Sequence, residues 1–262
     1  MRMTRFAAPL GALVEDVDVR KINDTQWSAL NQWFCEHHVL AIRDQCLAPE
    51  DQMTFARRWG DLVRHPYAGL EQYPDIIELR NVGKARDINQ HWHSDMTYNR
   101  APPKLTMLYA LAVPELGGDT AFANQQLAYA ALSTGMRATL AGLHAEHSAA
   151  GLAKKYQQDS EQAPCAVHPV VRTHDETRRP GLYVCRAFTQ RFVGWSRAES
   201  LPLLNYLFEH SVKPEFQARH QWRKGDLVLW DNRSLLHFAV HDHADEQPRQ
   251  IHRLQVRGPV PE

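Results

Sequence analysis

Apolar positions recur along this chain at two spacings, near 3.6 residues in some stretches and near 2 in others, which predicts helices interspersed with short strands. Residues 6–19 carry short apolar runs broken by Pro9 and Gly11 and read as a strand entering the fold. Asp24 or Thr25 then caps a helix on which Trp27, Leu30, Trp33 and Phe34 form one stripe. Val39–Ile42 reads as a buried strand ended by Arg43-Asp44. Pro49 opens a second helix, with Met53, Ala56 and Trp59 on one face and Gly60 as its stop. A strand is expected at Ile76–Leu79 and a longer one from Lys104 to Val113. The turn Gly117-Gly118-Asp119-Thr120 leads into Ala121-Phe122-Ala123.

In the second half, residues 124–146 read as two helices divided near Ser133 and Gly135. The polar stretch 153–164 reads as a surface loop or lid. Val167–Thr173 and Leu182–Cys185 are expected strands around a turn at 174–181. Ser196 caps a helix with Leu201, Leu204, Leu207 and Phe208 inward. Phe216–Trp222 and Leu227–Trp230 flank the turn Arg223-Lys224-Gly225-Asp226, and Arg253–Val256 forms a closing strand. No G-x-G-x-x-G follows an early strand, and the strand-turn-strand pieces at 167–185 and 216–230 favour antiparallel pairing over a βαβ sheet. The expected fold is mainly β with flanking helices, a double-stranded β-helix of the jelly-roll, cupin-like kind. No internal repeat, low-complexity segment or linker divides it, so residues 1–262 read as one domain.

Composition narrows the class. Lys+Arg and Asp+Glu both total 30, so the formal charge is zero. No basic excess points to nucleic acid or to an anionic membrane. Cys35, Cys46, Cys165 and Cys185 show no C-x-x-C spacing, which fits reduced thiols in the cytoplasm better than a disulfide framework or a zinc site. The N-terminus lacks the apolar run of a signal peptide, and no stretch approaches the ~20 apolar residues of a membrane span. The reading is a soluble, cytoplasmic, enzyme-sized chain.

The candidate chemistry centres on His91-Trp92-His93-Ser94-Asp95-Met96-Thr97-Tyr98. If this segment is extended, His93 and Asp95 project side by side from one face. An imidazole and a carboxylate so placed are two legs of a 2-His-1-carboxylate triad, which holds non-haem Fe(II) and leaves positions open for substrate and O₂. The pair follows Trp92 and precedes Thr97-Tyr98, as an inward-facing strand would. His243-Ala244-Asp245 offers the same spacing but lies in the polar run from His241 to Glu246, which reads as a solvated loop. His237, flanked by apolar residues, is the best third ligand; the alternative is a buried histidine bonded to backbone. His168, beside Pro169, competes and reads as structural. Arg249 and Arg253, four residues apart, share a face on a helix or a strand and suit a cavity that holds two anions. Alternatively they are surface arginines balancing Asp245 and Glu246.

His93-x-Asp95, Gly117-Gly118-Asp119-Thr120, Trp230-Asp231-Asn232-Arg233, His237 and Arg249-x-x-His252-Arg253 occur in order. With them the chain, from about residue 5 to 258, resembles the taurine dioxygenase / 2,4-dichlorophenoxyacetate dioxygenase family of Fe(II)- and 2-oxoglutarate-dependent oxygenases. The resemblance implies that His93, Asp95 and His237 ligate Fe(II), with no catalytic side chain beyond the metal centre. It implies that Arg249 pairs with the distal carboxylate of 2-oxoglutarate and that Thr120 hydrogen-bonds the same end. O₂ then takes the remaining metal position, and succinate and CO₂ are co-products. Because halogenating relatives lack the carboxylate ligand, Asp95 implies hydroxylation or another oxidation.

In taurine dioxygenases an arginine matching Arg253 and a histidine matching His65 grip the sulfonate, and residues matching Asn89 and Phe188 shape the same pocket. The expected substrate is therefore a small anion, taurine or a related alkylsulfonate, oxidised near its charged end. The runner-up is a carboxylate such as an aryloxyacetate or an amino-acid-derived metabolite. From other classes come a jelly-roll protein that binds metal and ligand without turnover, and a zinc hydrolase using the same ligands. Two departures predict a wider or differently shaped pocket. Tyr67 follows His65 by two positions rather than the three of the taurine enzymes, and His147–Leu152 lacks their second aromatic. The family's habit implies a homo-oligomer, dimer or tetramer.

Overall fold

Two sheets face each other across an apolar interior, and helices cover the outer face of the larger one. The computed structural model describes residues 1–64, 69–80, 91–155, 157–243 and 246–262. Among them the larger sheet runs, in spatial order, β1 (Arg2–Arg5), β2 (Ala12–Glu15), β3 (Val39–Ile42), β13 (Leu227–Asp231), β5 (Leu105–Ala112), β15 (Gln250–Val256) and β4 (Ile77–Arg80). A smaller sheet is ordered β12 (Gln217–His220), β6 (Thr120–Asn124), β14 (Leu235–Ala239). A third is ordered β11 (Thr189–Phe192), β7 (His144–Ser148), β8 (Cys165–Pro169), and β9 (Val171–Thr173) pairs with β10 (Pro180–Leu182). The helices are α1 (Asp24–His37), α2 (Pro49–Ala56), α3 (Gln125–Ala130), α4 (Thr134–Leu140), α5 (Ala150–Lys155) and α6 (Arg197–His210). None is long and apolar enough to cross a membrane, and all four cysteines are free thiols.

Alternation along the central strands builds both layers. Leu40, Ile42, Met107, Leu227, Leu229 and Leu254 face outward onto Leu30 and Phe34 of α1 and Phe55 of α2. Val39, Ala41, Leu108, Ala110, Val228, Trp230 and Ile251 face inward onto Phe122, Ala218 and Leu235 of the smaller sheet. Burial on both faces explains why these strands read as continuous apolar runs rather than alternating ones. Arg253 shares the inward parity of Ile251 and is the charge that interrupts this apolar lining.

Several expectations are corrected. The cap of α1 is Asn23, not Asp24 or Thr25: its side chain accepts from Gln26 N at 2.9 Å, while Gln26 Oε1 accepts from Asn23 N at 3.1 Å. Asp24 instead sits in the first turn, where a carboxylate favours the helix dipole. The helical reading to residue 146 fails at His144–Ser148, which pairs with β8 on one side and β11 on the other. So short a run carries no decisive period, and sheet partners decide it. On α6 the inward stripe is Ser200, Leu204, Leu207 and Phe208, leaving Leu201 55% exposed. Ser200 holds that place because its hydroxyl accepts from Phe192 N at 3.0 Å and donates to Ser196 O at 2.9 Å.

The segment 216–230 is not a hairpin either. β12 pairs with β6 and β13 with β3 and β5, so the intervening turn carries the chain from one sheet to the other. The Asp226 carboxylate accepts from Arg223 N (2.8 Å) and His220 Nε2 (3.1 Å) and also pairs with Arg43. Gly225 takes the left-handed conformation, φ +83°, that closes the turn. Part of the expected lid is helical, since α5 covers Ala150–Lys155.

Candidate metal centre

His93 and Asp95 converge, but not as residues of one strand. His93 forms a two-bond bridge to His237, N to O at 3.0 and 2.8 Å, and the chain then turns through Asp95–Tyr98. Met96 lies at φ +50°, a left-handed position uncommon for a side chain of its size. Neighbouring groups hold that turn. His168 Nε2 donates to Thr97 O at 2.7 Å, and Ser94 Oγ donates to Asn232 O at 2.6 Å. His168 is thus a buried brace for the loop, in keeping with its structural reading beside Pro169.

His237 enters from β14, opposite Phe122 of β6. Its Nε2 lies 3.8 Å from Asp95 Oδ1, and His93 Nε2 lies 3.6 Å from the same oxygen. One ligand atom from each residue lies within 4.8 Å of the others, the one such His/Cys/Asp/Glu group among the described residues. All three are buried. His93 Nδ1 donates to His91 O at 2.8 Å, which leaves the Nε2 lone pair directed at the centre. His237 is fixed by packing instead: its ring centroid lies 4.6 Å from that of Trp230, and its Nδ1 is buried without a hydrogen-bond partner.

Charge follows the same logic. Burial alone raises the Asp95 carboxyl pKa, but the Arg253 guanidinium, His237 and His93 outweigh it and hold it well below the usual carboxylate range. Burial, with His93 adding to it, pushes His237 down to about 3. The centre therefore offers two imidazole nitrogens and one carboxylate oxygen. That donor set fits Fe(II).

A pocket opens onto Asp95 and His237, lined also by Thr120, Arg249, Arg253, Trp230, Leu79, Leu108 and Ala239. Arg249 immediately precedes β15 and Arg253 lies within it, so both expected arginines reach one cavity. Burial lowers the Arg249 pKa to about 10, and no carboxylate among the described residues balances it. A partly buried, desolvated guanidinium without a counter-ion suits an anion. Arg253 Nη2 instead approaches Asp95 Oδ1 at 3.2 Å. Thr120 follows a turn in which Gly117 and Gly118 have φ +80° and +69°. A Cβ on Gly117 would meet Asp242 Oδ1 at 2.7 Å, so only glycine fits. Thr120 Oγ1 accepts from Trp222 Nε1 at 3.0 Å, which leaves its own hydrogen to donate into the pocket.

Phe188 does not line the arginine pocket. Its ring stands edge-on to His93 (6.0 Å, 90°) and to Tyr98 (5.1 Å, 82°). His65 and Asn89 lie outside the described residues. Trp222, Thr106 and Gln255 also belong to the site although no motif marks them. Gln255 lies two residues beyond Arg253 on one strand face, a spacing that could have flagged it; Trp222 and Thr106 carry no local signal.

Three buried histidines make stability sensitive to acid. Burial pushes His38 down to about 4 and His147 and His237 down to about 3, from an ordinary 6.5. Below pH 6.5 the unfolded chain therefore binds more protons than the folded one, and stability falls as pH falls. Each histidine adds a slope approaching about 1.4 kcal/mol per pH unit on the way down. The urea midpoint of the metal-free protein should drop clearly between pH 7 and pH 5 and stay flat between pH 7 and pH 8. Equal midpoints at pH 7 and 5 would contradict neutral buried histidines.

The family model for "Taurine catabolism dioxygenase TauD, TfdA family" matches residues 4–255. The chain is 35% identical to the alpha-ketoglutarate-dependent 2,4-dichlorophenoxyacetate dioxygenase of Cupriavidus pinatubonensis, over 90% of this chain and 92% of that one. It is 32% identical to the alkylsulfatase of Acinetobacter baylyi, over 99% and 86% respectively. The crystal structure of a taurine dioxygenase from Burkholderia xenovorans superposes with a TM-score of 0.87 at 29% identity, covering 99% of this chain and 90% of that one. This protein belongs to the TauD/TfdA family of Fe(II)- and 2-oxoglutarate-dependent dioxygenases.

Proposed function

We propose that this dioxygenase hydroxylates a small organic anion, an alkylsulfonate or alkyl sulfate before a carboxylate, at a carbon near the charged end. The observation that carries this reading is the pair of inward arginines in one pocket beside the triad. His93, Asp95 and His237 would hold Fe(II). Bound there, Fe(II) with O₂ and 2-oxoglutarate supplies the oxidising chemistry, with succinate and CO₂ as co-products.

The chain's own residues position and shield. Arg249 pairs with the distal carboxylate of 2-oxoglutarate, and the free hydrogen of Thr120 donates to the same end. Leu79, Leu108 and Ala239 keep that end dry, which strengthens the ion pair. Arg253 holds Asp95 ionised and carries a buried Nε without a hydrogen-bond partner, a donor for the substrate anion. Phe188, against the His93 ring, confines the carbon to be oxidised. Leu152 packs in the same apolar cluster as Phe188 and Tyr98, in the stretch where taurine enzymes carry a second aromatic. That favours a longer or broader apolar body than taurine.

Substrate-dependent succinate formation decides the matter across taurine, longer alkylsulfonates, alkyl sulfates and aryloxyacetates. Turnover confined to aryloxyacetates would move the assignment to carboxylates, a reading that the 35% identity to the dichlorophenoxyacetate enzyme favours. Arg253→Ala should raise KM for the anionic substrate more than KM for 2-oxoglutarate; the opposite order would exchange the two arginines. We also read the facing sheets as a double-stranded β-helix (jelly roll) in one domain over residues 1–262, acting in the cytoplasm as a homodimer or homotetramer. Light scattering on the eluting protein tests the assembly.

A further inference from the structure

We propose that Thr106, with Gln255 and Asn232, is a positioning device that gives the two oxygens of Asp95 different tasks, tying Oδ2 to the protein and leaving Oδ1 for the metal. The proposal rests on His93, Asp95 and His237 being the metal ligands. Oδ1 is the oxygen that faces His93 Nε2 and His237 Nε2, at 3.6 and 3.8 Å, with the Arg253 guanidinium beside it at 3.2 Å. Oδ2 instead accepts from Thr106 Oγ1 at 2.6 Å and from Gln255 Nε2 at 3.1 Å.

The direction of every hydrogen bond in this cluster follows from donor chemistry. An indole N–H can only donate, and Trp230 Nε1 donates to Asn232 Oδ1 at 3.0 Å. That orients the amide so that Asn232 Nδ2 donates to Thr106 Oγ1 at 2.9 Å. Gln255 Nε2 donates to the same hydroxyl at 3.1 Å. With two donors on its lone pairs, the hydroxyl has one place left for its hydrogen, Asp95 Oδ2. Thr106 and Gln255 are fully buried and Asn232 is 1% exposed, so bulk water cannot replace a lost partner.

The sheet builds this cluster. β5 lies between β13 and β15, and the registers Trp230↔Thr106 and Gln255↔Thr106 set three residues in one row across the inner face. Asn232 is pinned beside them, its N donating to Lys104 O at 3.0 Å and its O accepting from Ser94 Oγ at 2.6 Å. The turn that carries Asp95 is thus tied at two points to the strands that orient its carboxylate. A carboxylate with one oxygen already saturated by donors ligates through the other alone, which keeps the remaining metal positions open for 2-oxoglutarate and O₂.

The test is calorimetric titration of Mn(II) or Co(II) into metal-free, full-length protein. Thr106→Val, which keeps shape and removes the hydroxyl, should weaken binding about 10- to 100-fold, the usual cost of losing a partner behind a ligand. Thr106→Ser should restore most of the affinity and the parent Co(II) visible spectrum, a rescue that mere packing would not produce. A folded Thr106→Val protein that binds metal as tightly as the parent overturns the proposal. Where Thr106→Val loses the near-UV circular dichroism of the fold, Gln255→Met, which removes the second donor to Oδ2, is judged by the same criterion. Asp95→Ala in the same titration separates the two levels. If it too binds normally, the ligand assignment fails; if it alone loses metal, only the positioning role fails.

Discussion

Asp95→Ala abolishes substrate-dependent succinate formation and divalent-metal binding together. The substitution removes the one anion of the triad and leaves two imidazoles, too few ligands to hold Fe(II) against water. It also strands what Asp95 now satisfies: the Arg253 guanidinium at 3.2 Å and the Thr106 and Gln255 donors at 2.6 and 3.1 Å. Removing one partner of a buried pair costs about 3–5 kcal/mol, so the metal-free variant should also melt earlier than the parent. Asp95→Asn separates these effects. It keeps the shape and one acceptor oxygen for Thr106, and should retain most of the stability while losing the metal. An Asp95→Ala protein with parent activity would end the assignment of His93, Asp95 and His237.

Arg249→Ala raises the 2-oxoglutarate requirement steeply while metal binding survives. Losing one side of a buried, hydrogen-bonded charge pair costs about 2–5 kcal/mol, roughly 30-fold to more than 1000-fold in binding. Arg249→Lys should fall between, because an ammonium keeps the charge but not the planar fork. The apoprotein supplies the control. Arg249 has no carboxylate partner among the described residues, and burial lowers its pKa to about 10. Alanine there relieves an unbalanced, partly buried charge, so the melting temperature without 2-oxoglutarate should hold or rise. A structural arginine would behave in the opposite way. A steep fall in apoprotein stability with an unchanged KM for 2-oxoglutarate would remove Arg249 from the cosubstrate site.

Much of the framework is local and was legible. Val39–Ile42, Lys104–Val113 and Leu227–Trp230 read as strands because burial on both faces leaves an unbroken apolar run, and the structure places β3, β5 and β13 there. Pro49 and Ser196 opened helices where expected, since cap chemistry acts within a few residues. Short stretches without a clear period went wrong. His144–Ser148 is a strand because β8 and β11 flank it. The segment 216–230 divides between two sheets because Asp226 anchors its turn to His220 and Arg43.

His93, Asp95, His237, Arg249 and Arg253 are legible from residue type and order; the structure gathers the last four around one pocket and sets His93 against Asp95. A shared strand face does not unite His93 and Asp95; a bridge to β14 and a turn through Met96 do. The sequence by itself determined which side chains are available to bind a cation and two anions, because that depends on chemistry each residue carries alone. Only the tertiary structure decided that Thr106, Gln255 and Asn232 meet behind Asp95 and that Trp222 directs Thr120. Thr106 meets Asn232 and Gln255, and Thr120 meets Trp222, across more than a hundred residues of chain, and no local pattern of apolar and polar positions encodes such a pairing.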